Sequence, residues 1–337
     1  MAVMNHRTLL DWYEKEKRDL PFRQDRDPYK IWISEIMSQQ TRIETLLPYY
    51  RAFVEKWPDE KALAAADEDE LLKAWQGLGY YSRARNLKKA ALQCMERFDG
   101  KLPQTKKELM SLAGIGDYTA GAIASIAHDQ RVSAIDGNVI RVYARYYGLK
   151  DDFSKAKNRK HLEKLVENDL PEAKQTGNWN QALMELGARV CMPKKADCMV
   201  CPLREGCESF KTGNPLDLPV RSRPKDRKVE SRKVIVQAAW KDGQWCIHLR
   251  RRPEQGLLAG LFEFDEELPD SVLEQIRLGS YLHVFTHKEW QMSGTLVITT
   301  IGEGFLPIQE IEKTAAIPGA FMPFYLRAKE VLHEKAR

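Results

Sequence analysis

Apolar residues recur at helical spacing through the first two-thirds of the chain and at a period of two in the last third, so two structural regimes are expected. In the first, Thr8 to Lys17 reads as a helix with Leu9, Trp12 and Tyr13 facing inward, stopped by Leu20-Pro21-Phe22-Arg23. Asp27-Pro28 offers an N-cap and a first helical position for a helix through Trp32, Ile33, Ile36 and Met37, a pattern that runs on to Thr45. Thr105 and Glu108 have capping-box spacing before Leu109 and Leu112, which predicts a short helix ending near Ala113. Gly114 and Gly116 then turn the chain into a helix marked by Tyr118, Ala122, Ile123 and Ile126, and another helix is expected from Trp179 to Val190. In the second regime, Val234 to Trp240 and Trp245 to Leu249 flank Lys241-Asp242-Gly243-Gln244, a hairpin signal. Strands at Tyr281 to Phe285 and Thr295 to Thr300, with helices near Ser271 to Arg277 and at the C-terminus, complete an α+β domain.

The helix-turn-helix around Gly114 and Gly116 reads either as an ordinary helical corner or as a hairpin that grips a phosphate. Glycines let the backbone come near an anion, and the free N–H groups opening the second helix favour one. Such contacts position a DNA strand without reading sequence. Asp136 precedes Gly137-Asn138-Val139-Ile140-Arg141-Val142 at a helix start, where an N-cap and an ionised functional carboxylate need the same placement. Glu35, between Ile33 and Ile36, lies on the flank of an apolar stripe beside Gln39, Gln40 and Thr41, as a solvated edge or a pocket rim. Gly77-Leu78-Gly79-Tyr80-Tyr81-Ser82-Arg83-Ala84-Arg85 is either a loop with packed tyrosines or a wedge into a base stack whose arginines hold phosphates.

Composition narrows this picture. The chain has 337 residues, 43% hydrophobic and 30% charged, with a net charge of +5, which suits a protein of two domains that touches polyanions. No segment is apolar and long enough to span a bilayer and the N-terminus has no apolar signal region, so a cytoplasmic protein without membrane partners is expected. Thr212 to Lys233 breaks the helical pattern with prolines, and Arg221 to Lys233 carries seven basic against two acidic residues, a local +5. This reads as an extended linker near DNA. Residues 1–211 then form the helical region, 212–232 the linker and 233–337 the α+β domain.

Cys191, Cys198, Cys201 and Cys207 follow a C-x6-C-x2-C-x5-C spacing. Four thiolates so close, in a chain with no secretion signal, suit a metal or cluster site, and zinc and a four-iron cluster both accept four cysteines. Lys194, Lys195 and Arg204 make the loop basic; Cys94 and Cys246 read as core thiols.

Together SEIMSQQT, GLGYYSRARNL, LAGIGDYTAGAI, IDGNVIRV, NWNQALMELGARVC and the four-cysteine loop resemble the helix-hairpin-helix DNA glycosylases, and the whole chain resembles the MutY-type adenine glycosylases. The resemblance implies a mostly α catalytic domain with an iron-sulfur loop, followed by a Nudix-like α+β domain. It implies a monomer that binds duplex DNA and excises adenine opposite 8-oxoguanine or guanine, with one [4Fe-4S] cluster on Cys191, Cys198, Cys201 and Cys207. Glu35 would protonate adenine N7, Asp136 would stabilise the cationic sugar or attack it transiently, and Tyr118 and Asn138 would orient the reacting groups. Gln40, Thr41, Leu78, Tyr80, Gly114 and Gly116 would contact DNA, and Phe285, Thr286 and His287 the 8-oxoguanine.

The chain also departs from the family. Strand-cleaving relatives carry a Schiff-base lysine where Tyr118 stands, so little or no lyase activity is expected. The tract Phe-Ser-His appears as Phe285-Thr286-His287, Ser38 replaces a usual leucine and Phe22 a usual tryptophan. After Gly260 the chain reads LFEFDEELPDSVLEQIRL instead of a glutamate-rich metal helix, which argues against pyrophosphate hydrolysis.

Overall fold

The computed structural model describes residues 3–220, 222 and 226–335. The chain divides into two compact units, one formed by 1–65 and 86–223, the other by 66–85 and 224–337. Helices follow one another through the first two-thirds: α1 (His6–Glu16), α2 (Pro28–Ser38), α3 (Ile43–Lys56), α4 (Glu60–Ala64), α5 (Glu68–Ala74), α6 (Ser82–Arg97), α7 (Lys106–Leu109), α8 (Asp117–His128), α9 (Gly137–Tyr147), α10 (Ala156–Asn168), α11 (Ala173–Arg189) and α12 (Glu208–Thr212). Of these, α5 and the turn after it belong to the second unit.

At the centre of the helical unit lies α8, whose run from Thr119 to Ile126 is buried. Small residues make that possible, since α8 packs against α2, α7 and α11 with no room for bulk. A Cβ on Gly121 would sit 2.0 Å from the Ser133 carbonyl oxygen. Asp27, Thr105 and Asp136, the starts expected from the sequence, and Asn5, which was not expected, each accept a backbone N–H from the helix they open. At Thr105 the hydroxyl accepts from Glu108 N at 3.2 Å and donates to the Glu108 carboxylate at 2.6 Å.

Three expectations are corrected. The apolar pattern from Asp27 does not stay helical to Thr45: α2 ends at Ser38, Gln40 takes a φ of 59°, and α3 starts at Ile43. The break exposes Gln40 and leaves Gln39 and Thr41 half-buried. The residues from Glu274 are strand, where helix was expected near Ser271 to Arg277, because pairing with a neighbouring strand overrides a short local pattern. The basic stretch expected as linker gives way to strand at Lys228.

In the second unit, β1 (Lys228–Lys241), β2 (Gln244–His248), β5 (Glu274–Val284), β6 (Lys288–Ile298) and β7 (Phe305–Pro307) form a sheet in the order β5-β6-β1-β2-β7, while β3 (Arg250–Arg251) pairs with β4 (Phe262–Glu263). The expected β1–β2 hairpin is present, with Asp242 and Gly243 at φ 48° and 78° in its turn. Pairing of β1 with β6 is parallel, the rest antiparallel. Helix α14 (Met322–Lys335) packs on β1 and β5, and α13 (Ile308–Thr314) packs on α5.

Candidate active site and cysteine loop

A cleft of about 670 Å³ opens in the helical unit between the end of α2, the start of α8, the start of α9 and one face of α11. Glu35, Gln40, Thr41, Tyr118, Asp136 and Asn138 all line it. Residues 35, 118 and 136 are distant in sequence, and the packing of α2 and α11 on α8 brings them together.

The two carboxyl groups of the cleft have different surroundings. Glu35 accepts one hydrogen bond from a protein side chain, from the Tyr118 hydroxyl at 2.5 Å. Burial pushes its pKa up to about 7; the Tyr118 hydrogen bond opposes this, and the nearby Asp136 charge adds to it. Asp136 accepts from Asn138 N and Val139 N at 2.8 Å and from Asn138 Nδ2 at 2.6 Å. Burial raises Asp136 too, against the pull of those donors, so a helix start alone does not hold this carboxyl low. The three donors to it among the described residues match the ionised form. Tyr118, which burial keeps protonated, also reaches Met184 Sδ at 3.6 Å.

Asn138 is itself fixed. The buried Arg141 donates to Asn138 Oδ1 at 2.6 Å, to the Gly187 carbonyl at 2.7 Å and to the Cys191 carbonyl at 2.7 Å. Gly187 permits the approach, since a Cβ there would lie 2.5 Å from Asn138 Cβ.

A second charged group in the cleft was not anticipated. Glu185 accepts from Arg18 Nε at 2.7 Å, Arg18 Nη2 at 2.9 Å and Arg23 Nη2 at 2.9 Å. Although burial works to raise it, the two arginines hold Glu185 below its ordinary value. The motif NWNQALMELGARVC contains Glu185, but its partners Arg18 and Arg23 lie some 160 residues earlier, which no local pattern reveals.

The expected DNA-contacting residues fall in different places. Gly114 has a φ of 72°, and a Cβ on it would meet Asn86 Cβ at 2.6 Å, so the turn itself requires glycine. Gly116 caps α8 in an extended conformation with nothing within 4 Å of a Cβ. Tyr80 is half exposed in the second unit, whereas the Leu78 side chain is buried there. Phe285, Thr286 and His287 occupy the β5–β6 turn: Phe285 packs edge-on against Trp290 and His283, Thr286 and His287 are exposed, and Thr286 Oγ1 lies 3.0 Å from Tyr80 Oη. The arginines after Tyr80 are engaged within the protein, against the reading in which they hold phosphates. Arg83 is buried, and Arg85 Nε donates to Glu68 at 2.7 Å.

Cys191, Cys198, Cys201 and Cys207 ring one hollow together with Arg145, Val190 and Phe210, and none is in a disulfide. Among the described residues no three His, Cys, Asp or Glu side chains converge as tightly as a single metal ion requires. The thiols surround a space between them instead. Burial pushes Cys201 up to about 12 and raises Cys198 and Cys207, so loss of those protons needs a positive centre nearby. Arg145 supplies one donor, with Nη1 at 3.3 Å from Cys191 Sγ. The donor set and the hollow fit a thiolate-ligated cluster.

Comparison with known proteins places this arrangement. Residues 33–168 match the family model of the HhH-GPD superfamily base excision DNA repair proteins. Among solved structures, a thermostable thymine-DNA glycosylase superposes with a TM-score of 0.56 at 28% identity, over 61% of this chain and 95% of that one. An endonuclease III–DNA complex shares the fold, with a TM-score of 0.53 at 22% identity over 62% and 94%. The helical unit with its carboxyl-lined cleft is therefore that of a helix-hairpin-helix DNA glycosylase. The adenine DNA glycosylase of mouse is 34% identical over 83% of this chain and 67% of its own length. The human one is 33% identical over 93% and 72%, and that of Buchnera aphidicola subsp. Schizaphis graminum is 35% identical over 76% and 73%. The chain belongs to the adenine DNA glycosylase family, enzymes of base excision repair.

Proposed function

We propose that this enzyme removes adenine mispaired with 8-oxoguanine, and with guanine, leaving an abasic site and an uncut strand. The observation that carries the chemistry is the pair of unlike carboxyls in one cleft. An N-glycosidic bond breaks when the leaving base is made neutral and the sugar cation is stabilised, which asks for one protonated and one ionised carboxyl. Glu35, with its pKa pushed up to about 7, is the proton donor to adenine N7. The C1′–N9 bond then breaks with its electron pair going to the base, and the Asp136 carboxylate stabilises the oxocarbenium sugar. Water adds to C1′ and gives up its proton to the Glu35 carboxylate. Tyr118 and Asn138 orient the two carboxyls through the hydrogen bonds described above. A tyrosine offers no amine for a Schiff base, so elimination at the sugar is not started.

Extruding the target adenine costs a few kcal/mol, less in a mispair. Tyr80 acts as the wedge and the Phe285-Thr286-His287 turn as the reader of 8-oxoguanine. Gln40 and Thr41 at the cleft mouth and the α8 N-terminus after Gly114 and Gly116 hold the strand. Cys191, Cys198, Cys201 and Cys207 hold a [4Fe-4S] cluster, whose contribution is to shape and charge the basic loop carrying Lys194, Lys195 and Arg204. Brown colour and absorption in the visible blue would distinguish it from zinc.

Single-turnover base release from duplexes with adenine opposite 8-oxoguanine, guanine and thymine tests the reading. Strand breaks appearing only after alkali, fastest opposite 8-oxoguanine, are expected. Breaks without alkali would overturn the monofunctional assignment, and equal rates on all three would overturn the lesion reading.

A further inference from the structure

The turn Gly77-Leu78-Gly79-Tyr80 between α5 and α6 is wound in an unusual way. Gly77, Gly79 and Tyr80 have φ values of 106°, 69° and 47°. A tyrosine takes a left-handed backbone only where its surroundings impose it. Here they do: Arg83 Nη2 donates to the Leu78 carbonyl at 2.9 Å and to the Gly79 carbonyl at 3.2 Å, and Trp75 Nε1 donates to the same Gly79 carbonyl at 3.0 Å. The Arg83 guanidinium lies 5.3 Å from the Trp75 ring centre and 5.7 Å from that of Tyr80, and the residue is 8% exposed. An arginine beside a DNA-facing turn ordinarily presents its charge to phosphate. This one is turned inward and its Nη2 donates to the turn, while the Tyr80 ring it supports is 50% exposed.

We propose that Arg83 is the positioning residue of the wedge, holding Leu78-Gly79-Tyr80 in the left-handed conformation from which the Tyr80 ring enters the base stack. The proposal rests on the reading of Tyr80 as the wedge. A turn fixed in advance has no ordering cost at the moment of insertion, so opening of the stack is the step Arg83 accelerates. One terminal nitrogen, Nη2, serves both carbonyls and is held between them by the planar guanidinium, and lysine keeps the charge without that plane.

The test uses the full chain and two duplexes, adenine opposite 8-oxoguanine and adenine opposite a tetrahydrofuran gap, with 2-aminopurine beside the opposing position to report unstacking. Tyr80→Ala comes first. If it opens the stack at the parental rate, the wedge reading fails and the proposal falls with it. With Tyr80→Ala impaired, Arg83→Lys is expected to slow both the 2-aminopurine rise and base release opposite 8-oxoguanine about tenfold, with release opposite the gap changed less than about twofold. Opening at the parental rate in Arg83→Lys would overturn the proposal while leaving the wedge reading intact. So would equal losses on both duplexes with a lowered melting temperature, which mark a general support of the fold. Should Arg83→Lys not fold, Trp75→Phe removes one donor from the Gly79 carbonyl and keeps a ring beneath the guanidinium. A loss of about threefold in opening alone is expected of it, and parental opening would again overturn the proposal.

Discussion

Two tyrosine hydroxyls in this molecule each meet a residue of a proposed site, under different conditions. Tyr118 donates to Glu35 at 2.5 Å within the cleft, where both side chains are partly buried, and Tyr80 meets the Thr286 hydroxyl at 3.0 Å on an exposed surface of the other unit. In the cleft, little water competes, so the bond and the burial around it set where Glu35 holds its proton. At the surface, water replaces a lost hydroxyl partner at small cost, and the pair does no more than steer two side chains. The proposed chemistry therefore sits where solvent is restricted, and the proposed recognition where DNA can replace it.

The sharpest way to break the comparison is Glu35→Gln. The buried acid is expected to account for about 10² to 10⁴-fold of base release, with DNA affinity retained. Parental release in a single-turnover assay would remove Glu35 from the chemistry. Asp136 has two duties, and two substitutions separate them. Asp136→Asn keeps an oxygen for the α9 N–H groups and removes the charge, so release should fall about 10² to 10³-fold with little change in melting. Asp136→Ala loses the cap as well, at about 1 kcal/mol of stability, which denaturant titration would detect.

The third prediction concerns stability against pH. Glu35 has a folded pKa of about 7, above its ordinary value of 4.5, so between those values the unfolded chain has lost a proton that the folded chain keeps. Stability attributable to this group is full below pH 4.5 and is lost as pH rises through about 7, at a total of up to about 3 kcal/mol. Glu35→Gln should then raise the melting temperature at pH 8 and much less at pH 4.5; equal gains at both would show that Glu35 is not raised. In the same window base release should decline above about pH 7 as the acid ionises. Tyr118→Phe removes the one bond that favours ionised Glu35, and should move this alkaline limb upward in a pH–rate profile.

The smallest effects belong to the exposed pair. Thr286→Ser keeps the hydroxyl and removes a methyl, and the ratio of rates opposite 8-oxoguanine and guanine should stay within about threefold. Thr286→Ala should cost about 1 kcal/mol of that discrimination, read from paired single-turnover rates. A loss as large as that of Glu35→Gln would mean that the surface pair is as protected as the cleft.

Much of this was legible along the chain. Asn5 aside, the caps at Asp27, Thr105 and Asp136, the β1–β2 hairpin and the four-cysteine spacing are local signals, fixed by neighbours a few residues away. Glu35 was ambiguous because its own helix offers it an edge. What buries it is α8, some eighty residues on. The strand from Glu274 was misread for the same reason, its local pattern being overruled by pairing with β6.

By itself, the sequence determined the helical and sheet regimes, the starts of the principal helices and the membership of the family, because caps, turns and periodicity act over one or two turns of chain. Only the tertiary structure decided which carboxyl is desolvated, that Arg18 and Arg23 meet Glu185, and that the turn bearing Tyr80 belongs with the unit bearing Thr286. Burial and charge pairing are properties of groups brought together from across the fold, and no stretch of chain contains them until it has folded.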